Sequence, residues 1–478
     1  MHLQSLSTVK LCRQGEIRLD RGSSKKLALA FQLWLFFGSI SVVAFSLMQQ
    51  SPATIIAYIL FGSGGLLVAR SSGAIASHLF LLIYGFSVTA AVLLFYIYFA
   101  RYGSPYPAGG SDDLAFESYA RIIAERLWLY DAEEIGDLID LPDHNSKGYI
   151  YLLSLFIRLG DFFGGFNTMI PRIFNCSLLG LGAVLSRSIA RQIGMTAKQA
   201  QVVALWVGFF PMMVFVAIHV SRDILIAVLL LLTLKMALNI SSRRDYIIPF
   251  LCSLAFLPLA LAVSELRFLY LIPTTAMLAA AWFSRLWPHS RLRLYSIAML
   301  AIALFLTTQI LLANDSTMLK VAFQQLEAYG GQLITDSDRG AAEGLGSKLF
   351  SLPPPWQHLA RFAYALVTPL PTYYSDLEWN FLGLGSLVQF FFATFVILGI
   401  KLVYRDTKYL PLFSGFAIIF FSYVMGSFIF RHITAWFPFA IIFGVIGYER
   451  YHHKRKSIFV VCAIVIGLAG FMYILLKM

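Results

Sequence analysis

The chain has 478 residues, of which 59% are hydrophobic and only 13% charged, with a mean hydropathy of +0.74. A soluble domain is about one quarter charged, so this composition excludes an ordinary soluble enzyme and predicts a polytopic membrane protein. The net charge of +12 would suit a nucleic-acid binder in a soluble chain, but here basic cytoplasmic loops account for it.

Residues 1–26 are polar, too long a lead for a cleavable signal peptide, and form a cytoplasmic tail carrying Arg13, Arg18, Arg21, Lys25 and Lys26. A membrane span needs about 20 mostly apolar residues. Spans are expected near 27–48, 53–70, 74–100, 168–190, 196–218, 223–241, 247–264, 268–285, 295–313, 380–402, 409–430, 433–449 and 457–476. That makes an all-α protein of about thirteen transmembrane helices. The inner loops then hold Arg70, then Arg187, Arg191 and Lys198, then Arg243 and Arg244, then Arg285, Arg291 and Arg293. Further on they hold Lys401, Arg405 and Lys408, and finally Arg450, Lys454, Arg455 and Lys456. Each is basic, as the positive-inside bias requires. The chain divides into the tail, an N-terminal transmembrane hairpin (27–73), a core (74–313) with outer loop 101–167, a second outer loop (314–379) and C-terminal helices (380–478).

The first outer loop opens on turn residues Tyr102 to Pro107 and Gly109-Gly110. Ser111 or Asp112 then caps a helix running to about Tyr130, with Glu117, Arg121 and Glu125 spaced i, i+4. A second amphipathic piece, 148–163, is short for a span and reads as an interfacial helix. The four cysteines, Cys12, Cys176, Cys252 and Cys462, show neither metal-ligand spacing nor a disulfide framework. Gly62-Ser63-Gly64-Gly65 lacks the Lys-Ser/Thr of a phosphate-binding loop.

Charged residues gather at the outer ends of the spans: Asp112 and Asp113; His219, Arg222 and Asp223; Glu265 and Arg267; Asp376 and Glu378; Arg431 and His432. Ionisable groups at membrane depth are costly and mark sites or pathways. Arg222, Arg267 and Arg431 run against the inside bias, and a guanidinium fork suits phosphate. The arrangement points to a phosphate-bearing ligand at the lipid boundary. Each group also has a plainer reading. Asp112 and Asp113 cap a helix, Arg222 and Asp223 form a helix-end ion pair, Glu265 and Arg267 pair across a short hairpin, and Arg431 and His432 are interfacial anchors. Their common sidedness favours the site.

Three stretches, joined by a fourth near the C-terminus, carry a family resemblance. Gly110-Ser111-Asp112-Asp113-Leu114-Ala115-Phe116-Glu117-Ser118-Tyr119 resembles an acidic-pair signature in the first large outer loop. Gly148-Tyr149-Ile150-Tyr151, followed by Ile170-Pro171-Arg172-Ile173-Phe174-Asn175, resembles the entry to the next span. Phe210-Pro211 followed by His219-Val220-Ser221-Arg222-Asp223 resembles a third segment, and Arg431-His432 with Phe437-Pro438 a fourth. On these the chain resembles the GT-C superfamily of glycosyltransferases, the multi-span class that includes protein O-mannosyltransferases and the aminoarabinose transferase of lipid A. It departs in having Asp-Asp for Asp-Glu and an extra hairpin before the first usual span.

The resemblance implies a GT-C-like fold and transfer of a sugar from a polyprenyl-phosphate donor to a glycan, lipid or protein acceptor. It places the site on the outer face of a bacterial cytoplasmic membrane. Asp112 and then Asp113 are the expected bases for the acceptor hydroxyl. Arg222, Arg431 and Arg267 are the expected partners of the leaving phosphate, with Asp223, Glu265, His432 and Glu378 completing the site. No metal-ligand spacing is visible, and a divalent cation stays open as a cofactor. The nearest alternative is a polysaccharide polymerase or ligase using a polyprenyl-diphosphate-linked glycan, which would lean on arginine and histidine more than on a carboxylate. A lipid or solute transporter is the third reading, for which Pro258 and Pro273 would break helices.

Overall fold

The computed structural model describes residues 21–106, 111–126, 146–243, 245–286, 356, 377–426 and 430–477. Within these, the side chains of 21–28, 111–112, 377–379, 425–426, 430 and 469–477 lie outside the description. Among the described residues all regular structure is helical: α1 (Arg21–Met48), α2 (Pro52–Arg70), α3 (Ala74–Tyr102), α4 (Ser111–Arg126) and α5 (Lys147–Phe162). There follow α6 (Met169–Gln192), α7 (Ala197–Phe209), α8 (Pro211–Ala217), α9 (Asp223–Ser242), α10 (Ile247–Leu266) and α11 (Leu271–Leu286). After the second loop come α12 (Leu377–Val403), α13 (Leu410–Gly426), α14 (Ile433–Arg450) and α15 (Arg455–Lys477).

Eight of the described helices are long and apolar enough to cross a membrane, and α7 with α8 makes a ninth if the bent pair is one span. Helix is the form in which an isolated segment satisfies its own backbone in hydrocarbon. The remaining α11, α14 and α15 coincide with three more expected spans, while the expected span 295–313 lies outside the described residues. The described helix boundaries fall close to the expected ones because hydropathy, turn residues and charge change together at each end.

The outer surface is apolar in a way water would not tolerate. Leu29, Phe36 and Leu47 on α1, Leu67 on α2 and Leu254, Leu257 and Leu261 on α10 are all more than 45% exposed. Among the longer helices burial is deepest in α6 and α14. Helices approach closely where glycine removes a side chain. A Cβ on Gly399 of α12 would overlap Phe443 O of α14, and one on Gly447 would overlap Phe395 O. Gly85 of α3 does the same against Trp34 of α1.

The bend of 52° between α7 and α8 falls at Phe210-Pro211. A residue before proline is pushed out of the helical region, and Phe210 adopts φ −62° and ψ 126°. Its ring stacks on Phe437 with centroids 3.7 Å apart, so the two Phe-Pro segments meet in space. Pro258, by contrast, sits inside an uninterrupted α10, and Pro273 lies in the first turn of α11. Neither breaks its helix, which removes one support of the transporter reading.

Candidate functional site

Helix α3 ends where Gly103 takes a left-handed conformation (φ 67°) and its N–H closes back on Phe99 O. The chain then turns through Pro105 and Tyr106 towards α4. The Tyr106 hydroxyl donates to Glu117. Glu117 also accepts from Arg121 at 2.7 and 2.9 Å, the expected i, i+4 pair. Burial, reinforced by the Glu117 carboxylate, pushes the Tyr106 phenol well above its ordinary range.

Helix α5 lies against α4, with the Phe116 ring edge-on to Tyr149 at 5.6 Å. It has the form expected of an amphipathic helix: Tyr149, Ile150, Leu153, Phe156 and Ile157 are buried, and Phe162 is 81% exposed. At its start, Gly148 leaves room for Glu265, whose Cβ would stand 3.1 Å from a Cβ on that glycine.

Helix α6 brings in two residues that sequence reasoning met only inside the resemblance and did not assign to the site. Arg172 is wholly buried, donates from Nη2 to Pro105 O, and carries its guanidinium 5.9 Å from the Phe95 ring. Asn175 donates from Nδ2 to His219 O at 2.9 Å and to Ser221 O at 2.8 Å. It thereby pins the connection between α8 and α9, the segment that presents Arg222 and Asp223.

In that connection His219 is buried between Tyr98 and Phe215. A carbonyl only accepts, so Nδ1 donates to Phe215 O (2.6 Å) and Nε2 accepts from the Tyr98 hydroxyl (2.8 Å). Burial, and then the Arg172 guanidinium, push His219 down to about 3. It is a neutral strut.

Asp223 opens α9, where an acid complements the positive end of the helix. Its Oδ2 accepts from Ser221 Oγ at 2.8 Å and lies 4.0 Å from Arg431 Nε. The plainer reading paired Arg222 with Asp223; the ion partner of Asp223 is instead Arg431, from the far end of the chain. Arg222 is 7% exposed and stands 5.6 Å over the Phe116 ring, one turn from Asp113 on the same helix.

Arg267 and His432 are both buried, and Arg267 Nη1 donates to His432 Nε2. Arg267 also stands 5.9 Å from the Tyr270 ring. The Glu265–Arg267 pair does not form: Glu265 is exposed on the α5 side, whereas Arg267, just past the end of α10, turns inward to Tyr270 and His432.

Tyr149 ties the two acidic regions together. It is 1% exposed, and burial followed by the nearby Asp113 carboxylate raises its phenol well above the ordinary range. Asp223 acts in the same direction, while Asn175 and Arg222 oppose it. Asp113 is half-buried and electrostatically coupled to Arg172 as well. The structure therefore brings together Asp113, Arg222, Asp223, Arg267, Arg431 and His432 and leaves Glu265 at the margin. The side chains of Asp112 and Glu378, and all of Asp376, lie outside the described residues. Among the described residues no group of three or more His, Cys, Asp or Glu is placed to hold a metal ion.

The signal for the missed residues was present. Thr168, Arg172 and Asn175 recur at i, i+4 and i+7, a polar stripe opening an otherwise apolar span.

An apolar cavity of about 280 Å³ lies between α12, α13 and α14, lined by Phe392, Val396, Phe413, Phe416, Phe420 and Trp436 among others. Its Trp436 end is five residues from Arg431. Comparison with known proteins gives no match, whether to a family model, a curated protein or a solved structure.

Proposed function

We propose that this chain is a membrane glycosyltransferase of GT-C type, with about thirteen spans. It transfers a sugar from a polyprenyl-phosphate donor to an acceptor at the outer face of the cytoplasmic membrane. The observation that carries the reading is the convergence of buried Arg222 and Arg267 with Arg431 near the Asp113 and Asp223 carboxylates. Isolated arginines at this depth are costly, and several of them facing one region suit a ligand that brings its own negative charge.

In the proposed reaction the acceptor hydroxyl gives its proton to the Asp113 carboxylate, or to Asp112 beside it. The acceptor oxygen bonds to the anomeric carbon as the bond from that carbon to the phosphate oxygen breaks. Prenyl phosphate leaves with the electron pair, and the arginines stabilise its charge. The apolar cavity next to Trp436 offers hydrocarbon surface for a lipid tail whose phosphate reaches Arg431.

The arginine–histidine contact of Arg267 with His432 is the feature that favours the polymerase or ligase alternative. Asp113→Asn and Asp112→Asn separate the two. The transferase reading predicts that at least one lowers transfer by about 10²–10⁴-fold, read by mass analysis of cell-surface glycans beside a deletion strain. Near-normal product in both variants, against loss in the deletion, would favour the polymerase or ligase. A glycan profile unchanged even by deletion would sink the enzymatic reading.

A further inference from the structure

Around the first turns of α6, buried polar groups have hydrogen-bonding capacity that the described residues do not use. Arg172 is wholly buried, yet its Nε and Nη1 have no hydrogen-bond partner among the described residues. Asn175, also wholly buried, gives both Nδ2 bonds to the α8–α9 connection while its Oδ1 accepts none. Tyr149 reaches Asn175 from α5, close enough for the amide to ease the rise of its phenol, but its buried Oη has no partner of normal hydrogen-bond geometry among the described residues. One turn before Arg172, Thr168 Oγ1 is likewise buried and without a partner. Each such group is destabilising if left bare, and a half-satisfied buried network is worse than none.

The mixture of needs identifies what would meet them. A phosphate offers acceptors only, which suits Arg172 but not Asn175 Oδ1. A hydroxyl both donates and accepts. Neighbouring hydroxyls on one ring would serve the guanidinium, the amide oxygen and the phenol together.

We propose that Arg172, Asn175 and Tyr149 form the subsite for the hydroxyls of a sugar ring, next to the arginines that face its phosphate. The inference deepens the glycosyltransferase reading and rests on it. It gives the two arginine groups different tasks: Arg222, Arg267 and Arg431 read charge, whereas Arg172 reads hydroxyl oxygens. A site built to hydrogen-bond a hydroxyl discriminates strongly against ligands lacking it, because its own buried groups are then left unpaired.

The test uses the full chain in lipid nanodiscs. The probes are a short-chain prenyl monophosphate and the same lipid carrying a hexose, an N-acetylhexosamine or a pentose on its phosphate. Tyr149→Phe removes one oxygen that has no partner of normal hydrogen-bond geometry among the described residues, so the melting temperature without ligand stays at the wild-type value. Binding of at least one glycosylated lipid weakens by about fivefold or more, the loss of one neutral hydrogen bond, while the bare prenyl phosphate binds as before. Equal weakening of bare and glycosylated lipids, or no weakening of any, overturns the subsite and leaves the transferase reading standing. A lower unliganded melting temperature with unchanged binding also overturns it, since the hydroxyl would then serve the fold through water. A wild-type chain that binds none of these lipids overturns both.

Discussion

The two ends of the helical bundle use the same side chain in opposite ways. At the end formed by the close of α9 and the start of α10, Arg285 donates to the carbonyls of Ile240 (3.1 Å), Arg243 and Asp245 (2.8 Å). Arg191 caps Met195 O at 2.9 Å, and Arg455 donates to Tyr448 O at 3.0 Å with Glu449 beside it at 3.4 Å. These arginines answer carbonyls that helix termini leave open, and each is at least partly exposed. At the other end Arg172, Arg222 and Arg267 are at most 7% exposed. Their surroundings are aromatic faces, a neutral histidine and carboxylates rather than a row of helix-end carbonyls. An arginine that closes a helix needs nothing further, whereas those buried among rings and acids are the ones that the proposed function assigns to a ligand.

The sharpest way to break this contrast is to neutralise one arginine at each end. Arg222→Gln is expected to lower transfer by about 10²–10³-fold, as removal of a charge-stabilising donor does, with little change in melting temperature. Arg285→Gln should do the reverse, costing about 1–3 kcal/mol of stability through its lost carbonyl bonds and leaving transfer near wild type. Paired melting curves and turnover on one lipid donor decide it. If both variants lose stability alike and neither loses turnover, the two ends are not functionally different.

A second test bears on the scaffold beneath the site. His219, held down to about 3 against an ordinary value of 6.5, binds a proton in the unfolded chain before it does in the folded one. Stability therefore rises with pH between about 3 and 6.5 and is flat above that window, with a span on the order of a few kcal/mol. His219→Gln should flatten the slope between pH 4 and 6.5 in chemical unfolding measured in detergent. A variant with the wild-type slope would mean that the histidine titrates normally.

Most of the fold was legible in the sequence for a physical reason: a span must be apolar along its whole length and must stop at charge. Every described helix from α1 to α15 lies where a span, an interfacial helix or the loop helix was expected. The site was half legible. Arg222, Asp223, Arg267, Arg431 and His432 stand out because they are charges at the wrong end of spans. Arg172 and Asn175 do not, because they sit inside a span where only their common face marks them. Tyr149 is invisible as chemistry, since a tyrosine near an interface is ordinary and only its burial between Asp113 and Asp223 gives it meaning. Partner choice was the least legible of all: Asp223 meets Arg431 and Arg267 meets His432 across 208 and 165 positions of sequence, where spacing carries no information.

The smallest expected effect sharpens that last point. Glu117 and Arg121 were the easiest pair to read, being four apart on a helix, and they do meet at 2.7 Å. Yet the Arg121 side chain is 49% exposed, and an exposed helix pair contributes only about 0.3–0.5 kcal/mol, less in salt. Arg121→Ala should therefore shift the melting temperature barely at all, and the shift should vanish at 1 M salt. The Tyr106–Glu117 hydrogen bond, which closes the turn from α3 into α4, survives that substitution and keeps α4 in place. A large loss of stability in Arg121→Ala would mean that the pair, rather than the Tyr106 contact and the Phe116–Tyr149 packing, holds α4 over the site. Local spacing predicted this contact best, but it is the long-range contacts around Arg172, Asp223 and Arg267 on which the proposed chemistry depends.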